Sequence, residues 1–306
     1  MTADGIRVVE PTSVPAEGDV RVRVASSGIC GSDLHMISFG PSGTVLGHEF
    51  SGTLDDGTPV AILPVVRCGT CDRCLAGAEQ QCRNAIAAMY GVSLDGGLAD
   101  EVWVNAACAT PLPDGVTLDH ANLVEPIAVA LHGINRAGVV DGMRVLVLGA
   151  GPIGLCTVAA ARYLGADVDL EGHRSNRIAV GERLGASVVT GTDYDVVLDA
   201  AGTQSSLDRA IELTRPGGTV SILGTFWNPV ELGLAFQMKE LTLLPSFTYG
   251  HHHGAGEFAE AARILRSRPD LADALNTHHF PLDDAAEAFR VAADPTDGAI
   301  KVVVHP

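Results

Sequence analysis

The chain has 306 residues, enough for one large or two ordinary domains. Hydrophobic residues make up 46% and charged residues 19%, with 35 Gly and 16 Pro, which is the composition of a packed, turn-rich α/β protein and excludes a disordered one. Twenty Lys plus Arg against 37 Asp plus Glu give a formal net charge of −17, so nucleic acid and anionic membrane surfaces are repelled and neither is expected as a partner.

Met1-Thr2-Ala3-Asp4 opens without a basic segment and apolar run, so no secretory signal is read and the chain is expected to stay in the cytoplasm. Residues 1–122 carry short β-branched runs, such as Val20-Arg21-Val22-Arg23-Val24 and Glu101-Val102-Trp103-Val104, broken by Gly and Pro. This predicts a mostly β, loop-rich domain. Within it, Cys68-x2-Cys71-x2-Cys74-x7-Cys82 gathers four thiols in fifteen residues, with Gly69 and Gly77 among them. In a reducing compartment that clustering points to metal, and four soft donors suit a tetrahedral zinc with no open position, hence a structural ion. Cys108 and Cys156 sit among apolar residues and read as small core fillers.

From 123 to 263 the texture changes to buried-strand runs, Val145-Leu146-Val147-Leu148, Val196-Val197-Leu198 and Val220-Ser221-Ile222-Leu223, alternating with Ala-rich helical stretches. Strands alternating with helices predict a doubly wound parallel sheet. The apolar stretch from Val145 to Ala161 is interrupted by Gly149, Gly151, Pro152 and Gly154, so it reads as strand, turn and helix, not as a membrane span. Gly149-Ala150-Gly151-Pro152-Ile153-Gly154 follows a strand and opens a helix to about Leu164. That context predicts dinucleotide binding, with Gly149 for the tight turn, Gly151 for backbone approach to pyrophosphate and Gly154 for helix packing.

Residues 264–306 return to turns, with a short helix around Asp284 to Ala292 and a strand from Ala299 to Val304, and are assigned back to the first domain. His251-His252-His253 precedes Gly254 and Gly256 and reads as a loop without a metal role. His278 and His279 also read as loop residues, and His132 as a packed helix residue.

A second donor set is dispersed: Cys30-Gly31-Ser32-Asp33-Leu34-His35, then Gly47-His48-Glu49, then Glu125-Pro126. Each fragment alone is weak. Together they offer a thiolate, an imidazole and carboxylates, a mixed set that suits a zinc ion keeping one position free.

These motifs, taken in order with the four-cysteine loop and the glycine turn, resemble the zinc-dependent medium-chain alcohol dehydrogenases, most closely the sorbitol, threonine and butanediol dehydrogenase branch. The resemblance covers nearly the whole chain. It implies a GroES-like catalytic domain and a Rossmann domain, two zinc ions per chain, and a homodimer or homotetramer. It further implies that Cys30, His48 and Glu49 are ligands of a catalytic zinc, with Glu125 at the position of a fourth. Asp33 would orient His48, while Ser32 and His35 would pass the alcohol proton towards solvent. This chain departs from the pattern in an abbreviated N-terminal strand, a short Ser51–Pro64 segment, and the lack of a helix between Ser187 and Asp195.

An acid about twenty residues beyond the first glycine would bind the 2′-hydroxyl of NAD, and Asp169 and Glu171 lie near that distance. Alignment with the family pattern puts Gly172 at the acid's position, followed by His173-Arg174-Ser175-Asn176-Arg177. Two guanidiniums and a hydroxyl suit a 2′-phosphate, so NADP is expected, with NAD held by Glu171 as the alternative. The reaction expected is hydride transfer between this cofactor and a secondary alcohol, diol or polyol and its ketone. Two rivals stay open: a reductase whose Cys30/His48/Glu49 site holds no metal, and a non-catalytic nucleotide-binding protein.

Overall fold

The computed structural model describes residues 5–9, 15–40, 43–252, 255–294 and 296–306. Fifteen strands are named in chain order: β1 (Asp19–Gly28), β2 (Glu49–Leu54), β3 (Pro59–Ile62), β4 (Glu101–Asn105), β5 (Ala109–Pro111), β6 (Arg144–Leu148), β7 (Asp167–Glu171), β8 (Ser187–Val188), β9 (Tyr194–Asp199), β10 (Thr214–Ile222), β11 (Thr242–Pro245), β12 (His251–His252), β13 (Ala255–Gly256), β14 (Asn276–Pro281) and β15 (Lys301–His305). The chain divides into two compact units, Met1–Glu125 with His253–Pro306, and Pro126–His252. The sequence put these divisions at 122/123 and 263/264. The helix Glu257–Ser267, which the 263/264 division cuts, packs on the one-turn helix Ala121–Leu123 and on the helix Pro269–Leu275, all in the first unit.

The first unit is built on a seven-stranded sheet in the order β14-β15-β1-β2-β3-β5, with β4 also pairing β1. β1 is the hub: β4 pairs its first half from Asp19 to Arg23, β2 runs along Val22 to Gly28, and β15 meets Ser27 and Gly28. The register slips between Val24 and Ser26, a bulge that redirects the second half of the strand toward Cys30. Val22, Phe50, Val60, Ile62, Val102 and Val104 fill the core on one side. The apolar face of the helix Ala285–Ala293, through Ala288, Phe289 and Val291, packs with Val302 and Val304 in a second cluster.

His278 and His279, expected in a loop, lie on β14, which runs parallel to β15. Their sequence, Asn-Thr-His-His-Phe-Pro, lacks the alternating apolar pattern of a strand, and the pairing comes from the β-branched run opposite. The helix Pro269–Leu275 just before it was also absent from the sequence reading. His251 and His252 form the two residues of β12, where a loop was expected, while His253 lies outside the described residues.

The second unit carries a parallel sheet in the order β11-β10-β9-β6-β7-β8, the doubly wound arrangement. β6 is buried from Val145 to Leu148, which explains its unbroken apolar run: helices cover both faces of such a sheet. Strand order reverses between β6 and β9, the place where an open α/β sheet opens a ligand crevice at the carboxyl ends of its strands. No helix separates β8 from β9, and Asp193 turns the connection at φ 66°. Among the described residues, no helix is long and apolar enough to cross a membrane.

Candidate metal centres and dinucleotide-binding turn

Cys30 caps the helix Gly31–Ser38 in an extended conformation, φ −91° and ψ 155°. Asp33, in the first helical turn where a negative charge suits the helix dipole, accepts a hydrogen bond from the Cys30 backbone N–H at 2.8 Å through Oδ2. Its other oxygen lies 3.3 Å from Nδ1 of His48. Asp33 is fully buried, and its carboxylate stands beside Nδ1, leaving Nε2 as the ring nitrogen away from it. Nε2 is 3.4 Å from the Ser32 hydroxyl. Burial alone would lower the His48 pKa, but the Asp33 carboxylate and then the Cys30 sulfur outweigh it and hold the imidazole well above its ordinary value.

Gly47 turns the chain into His48 at φ +93°, and a Cβ there would stand 2.6 Å from Ser27 Oγ and 2.9 Å from the Leu98 backbone. Gly91 and Gly96 press against this turn, Gly97 packs on the Phe50 side chain, and the Gly97 N–H donates to the Gly47 carbonyl at 2.8 Å. The sequence reading missed these glycines, although the Gly96-Gly97 pair was a visible signal for close backbone contact. Glu49 then opens β2. One donor atom each of Cys30, His48 and Glu49 lies within 4.8 Å of the others, a spacing that fits a single ion held by sulfur, nitrogen and oxygen. Glu125, at the start of the helix Val124–Arg136, is buried but does not join that group. His35 is exposed in the last turn of its helix, one turn beyond Ser32.

Lys301, which sequence reasoning did not single out, lies against this centre. Its Nζ donates to both Glu49 oxygens, at 2.7 and 2.6 Å, and to the Ile29 carbonyl at 3.3 Å. Gly28 makes room for the pair, since a Cβ there would fall 2.3 Å from Glu49 Oε2. A lone lysine inside Ala299-Ile300-Lys301-Val302-Val303-Val304 was the signal available.

The four-cysteine loop is independent of this centre. Cys71 caps the short helix Asp72–Leu75, and Gly69 and Gly77 turn the chain at φ +68° and +73°. Cys68 Sγ is 3.6 Å from Cys82 Sγ and 3.9 Å from Cys74 Sγ, and all four sulfurs lie within 4.8 Å of one another. Zinc–sulfur bonds of about 2.3 Å in a tetrahedron place sulfurs about 3.8 Å apart, so the loop fits one ion. Backbone N–H groups of Thr70 and Cys71 bring the Cys68 thiol down to about 6, while desolvation pushes Cys74 up to about 12. Cys108 and Cys156 are buried core residues, and His132 is packed at 4% exposure and belongs to neither donor group.

In the second unit Gly149 leaves β6 at φ +99°. Gly151 caps the helix Pro152–Tyr163, with Pro152 and Ile153 opening it, and a Cβ on Gly151 would meet nothing within 4 Å. That open space lets a phosphate approach the free N–H groups of the helix end. Gly154 is required for a different reason, because a Cβ there would stand 1.7 Å from the Gly149 carbonyl oxygen. β7 ends at Glu171, whose backbone carbonyl accepts from Gly149 N–H at 2.8 Å. The Glu171 carboxylate is gripped by Arg209, at 3.0 Å from Nε to Oε1 and 3.0 Å from Nη2 to Oε2. Next come Gly172, exposed His173, Arg174 as the cap of the helix Ser175–Arg183, then Ser175 and Arg177. Burial and then the neighbouring Arg174 charge lower the Arg177 pKa, so two like charges stand together at this helix start.

Comparison with known proteins bears on the family and the fold. Residues 16–114 match the alcohol dehydrogenase GroES-like domain, and residues 152–267 match the zinc-binding dehydrogenase domain. L-galactonate-5-dehydrogenase of Escherichia coli (strain K12) is 31% identical, over 90% of this chain and 88% of its own. The crystal structure of galactitol-1-phosphate dehydrogenase from Escherichia coli superposes with a TM-score of 0.89 at 29% identity, covering 99% of this chain and 97% of that one. A Sinorhizobium meliloti 1021 structure, described as a zinc-binding dehydrogenase bound to NADP, has a TM-score of 0.85 and 30% identity over 96% of this chain and 94% of its own. With both units matched and a relative at 31% identity spanning nine-tenths of its length, the chain belongs to the zinc-dependent medium-chain alcohol dehydrogenase family.

Proposed function

We propose that this dehydrogenase interconverts a secondary hydroxyl of a polyol or sugar acid with the corresponding ketone, using NADP and two zinc ions per chain. The observation that carries this reading is the convergence of the Cys30, His48 and Glu49 donor atoms within 4.8 Å, with Asp33 seated behind His48. Cys30 and His48 would hold the catalytic zinc, with Glu49 and Glu125 as the carboxylates available to it, and Cys68, Cys71, Cys74 and Cys82 would hold the structural ion. A zinc ion bound there supplies Lewis acidity, lowering the pKa of an alcohol oxygen or polarising a ketone. The nicotinamide supplies the hydride acceptor or donor.

The protein's own groups do the rest. Asp33 fixes the His48 tautomer and keeps Nε2 available. The Ser32 hydroxyl, beside Nε2, receives the alcohol proton and passes it outward, with exposed His35 one turn away as the group that delivers it to water. In the second unit the Gly149–Gly154 turn binds the pyrophosphate. Arg174, Ser175 and Arg177 receive a 2′-phosphate, with Gly172 and His173 beside them. Support for NADP comes from Glu171, whose carboxylate is engaged by Arg209, and from the paired guanidiniums. The relatives named above act on sugar acids and phosphorylated polyols by their descriptions, which supports the polyol class. Assembly as a homodimer or homotetramer and a cytoplasmic setting belong to the same reading.

The test is a panel of polyols, sugar acids and their keto forms assayed with NADP and NAD by absorbance of the reduced nicotinamide, alongside metal analysis and light scattering. Expected are turnover, a higher kcat/KM with NADP, about two zinc ions per chain and an oligomer. One zinc per chain with turnover would favour the reductase without a catalytic metal. Cofactor binding with no turnover on any substrate would favour the non-catalytic protein.

A further inference from the structure

β7 ends in two acids, Asp169 and Glu171, about twenty residues beyond Gly149, where a carboxylate can hold a ribose 2′-hydroxyl. Both are engaged: Asp169 accepts from the Tyr194 hydroxyl, and Glu171 is held by Arg209. The Arg209 grip is a fork, with Nε 3.0 and 3.2 Å from the two Glu171 oxygens and Nη2 3.0 Å from Oε2. Nη1 donates to Glu212 at 2.8 Å, one turn along the helix Gln204–Leu213, so the guanidinium is fastened from both sides. Paired charge-assisted bonds fix a carboxylate in direction as well as in charge. Stability does not account for the arrangement, because both side chains are 35% exposed and an ion pair so placed adds little to a fold. Its place in the fold gives it another use. The Glu171 carbonyl accepts from Gly149 N–H, which ties this acid to the glycine turn, and Gly172, His173 and Arg174 follow it directly. A 2′-phosphate beside a released Glu171 would be repelled, whereas a 2′-hydroxyl would donate to it.

We propose that Arg209 is a specificity-determining residue: its guanidinium withholds the Glu171 carboxylate from the adenosine ribose, so that a 2′-phosphate meets the cations of Arg174 and Arg177 without that anion beside them. This deepens the cofactor reading above and rests on it. Arg209 acts only through Glu171. Its own donors are spent on Glu171 and Glu212, so it positions a neighbour and does not hold the phosphate itself. Released from Arg209, Glu171 would favour the 2′-hydroxyl of NAD.

The test titrates the full chain with NADPH and with NADH, followed by nicotinamide fluorescence, so it needs no substrate. In Arg209→Met, NADPH should weaken by roughly tenfold while NADH holds or tightens. Glu171→Gln should leave NADH affinity at the wild-type value, because that carboxylate is not on the ribose. Arg209→Met/Glu171→Gln should recover the wild-type preference. An unchanged ratio of NADPH to NADH affinity in Arg209→Met would overturn the proposal. So would a double variant as weak for NADPH as Arg209→Met, which would put Arg209 itself on the phosphate. Should Arg209→Met fail to fold, Glu171→Gln alone decides: weaker NADH binding there would make Glu171 a ribose ligand in the native protein and overturn the proposal. A wild-type chain that prefers NADH overturns the NADP reading alone, since the change of ratio in Arg209→Met still judges Arg209. A wild-type chain that binds neither cofactor removes both.

Discussion

The two donor clusters of the first unit are brought together by opposite routes. The Cys68–Cys82 loop draws its four donors from fifteen consecutive residues, with its turns set by its own glycines. The Cys30, His48 and Glu49 set draws on a helix cap, a glycine turn and a strand, and is backed by Lys301 from the far end of the chain. A contiguous loop closes around an ion at small entropic cost, because few residues separate its ligands. The dispersed set exists only once the sheet has formed. Structural sites can be local, whereas a site that must leave a position open needs the rigid surroundings of a whole domain.

The sharpest way to break this comparison is to remove one ligand from each site. His48→Ala should lose one metal and at least about 10³-fold in kcat/KM, roughly 4 kcal/mol of transition-state stabilisation. Steady-state kinetics and metal analysis check it, and full activity in this variant would remove His48 from the chemistry. Cys68→Ser should do the reverse, costing more than about 4 kcal/mol of stability while the protein that remains folded keeps its turnover per site. Denaturant titration beside active-site counting separates the two.

Asp33→Asn probes the link between the dispersed set and its supports. It should weaken the catalytic metal by about 10–100-fold, measured by chelator competition. It should also shift the pH dependence of metal binding. In the metal-free protein the raised His48 pKa means that protonation stabilises the fold fully below the ordinary value of 6.5, and that this stability is lost as pH rises through the raised value. Metal must displace that proton, so apparent affinity should climb with pH across the same window, and Asp33→Asn should move the climb to lower pH. An unchanged profile would separate Asp33 from His48. The smallest effect is expected in the other unit, where Arg174→Ala should lower kcat/KM with NADP by about tenfold, close to 1.4 kcal/mol. NAD kinetics should hardly change, and equal losses with both cofactors would reassign Arg174 to a general structural role.

Legibility followed the same division. The four cysteines and the Gly149–Gly154 turn could be read directly because their physics is local: thiol spacing in one case, glycine backbone freedom after an apolar strand in the other. The four sulfurs lie within 4.8 Å of one another, and a Cβ on Gly154 would stand 1.7 Å from the Gly149 carbonyl oxygen. Lys301 was missed because its partner lies 252 residues away and no local pattern announces an ion pair. β14 was missed because Asn276–Pro281 is polar and borrows its strand conformation from β15. The 263/264 division falls inside the helix Glu257–Ser267, because an amphipathic pattern fixes that a helix packs, not which unit it packs on.

The sequence by itself determined the two domain types, the four-sulfur loop, the glycine turn after β6 and the residue types that converge on the dispersed centre. Each of these depends on periodicity, spacing or backbone freedom over a few neighbouring residues. Only the tertiary structure decided that Glu49 is held by Lys301, that Glu171 is engaged by Arg209, and that glycines at 91, 96 and 97 clamp the turn into His48. Those facts depend on which distant segments pack together, and burial makes them matter, because a charge removed from water must find its partner wherever the fold places one.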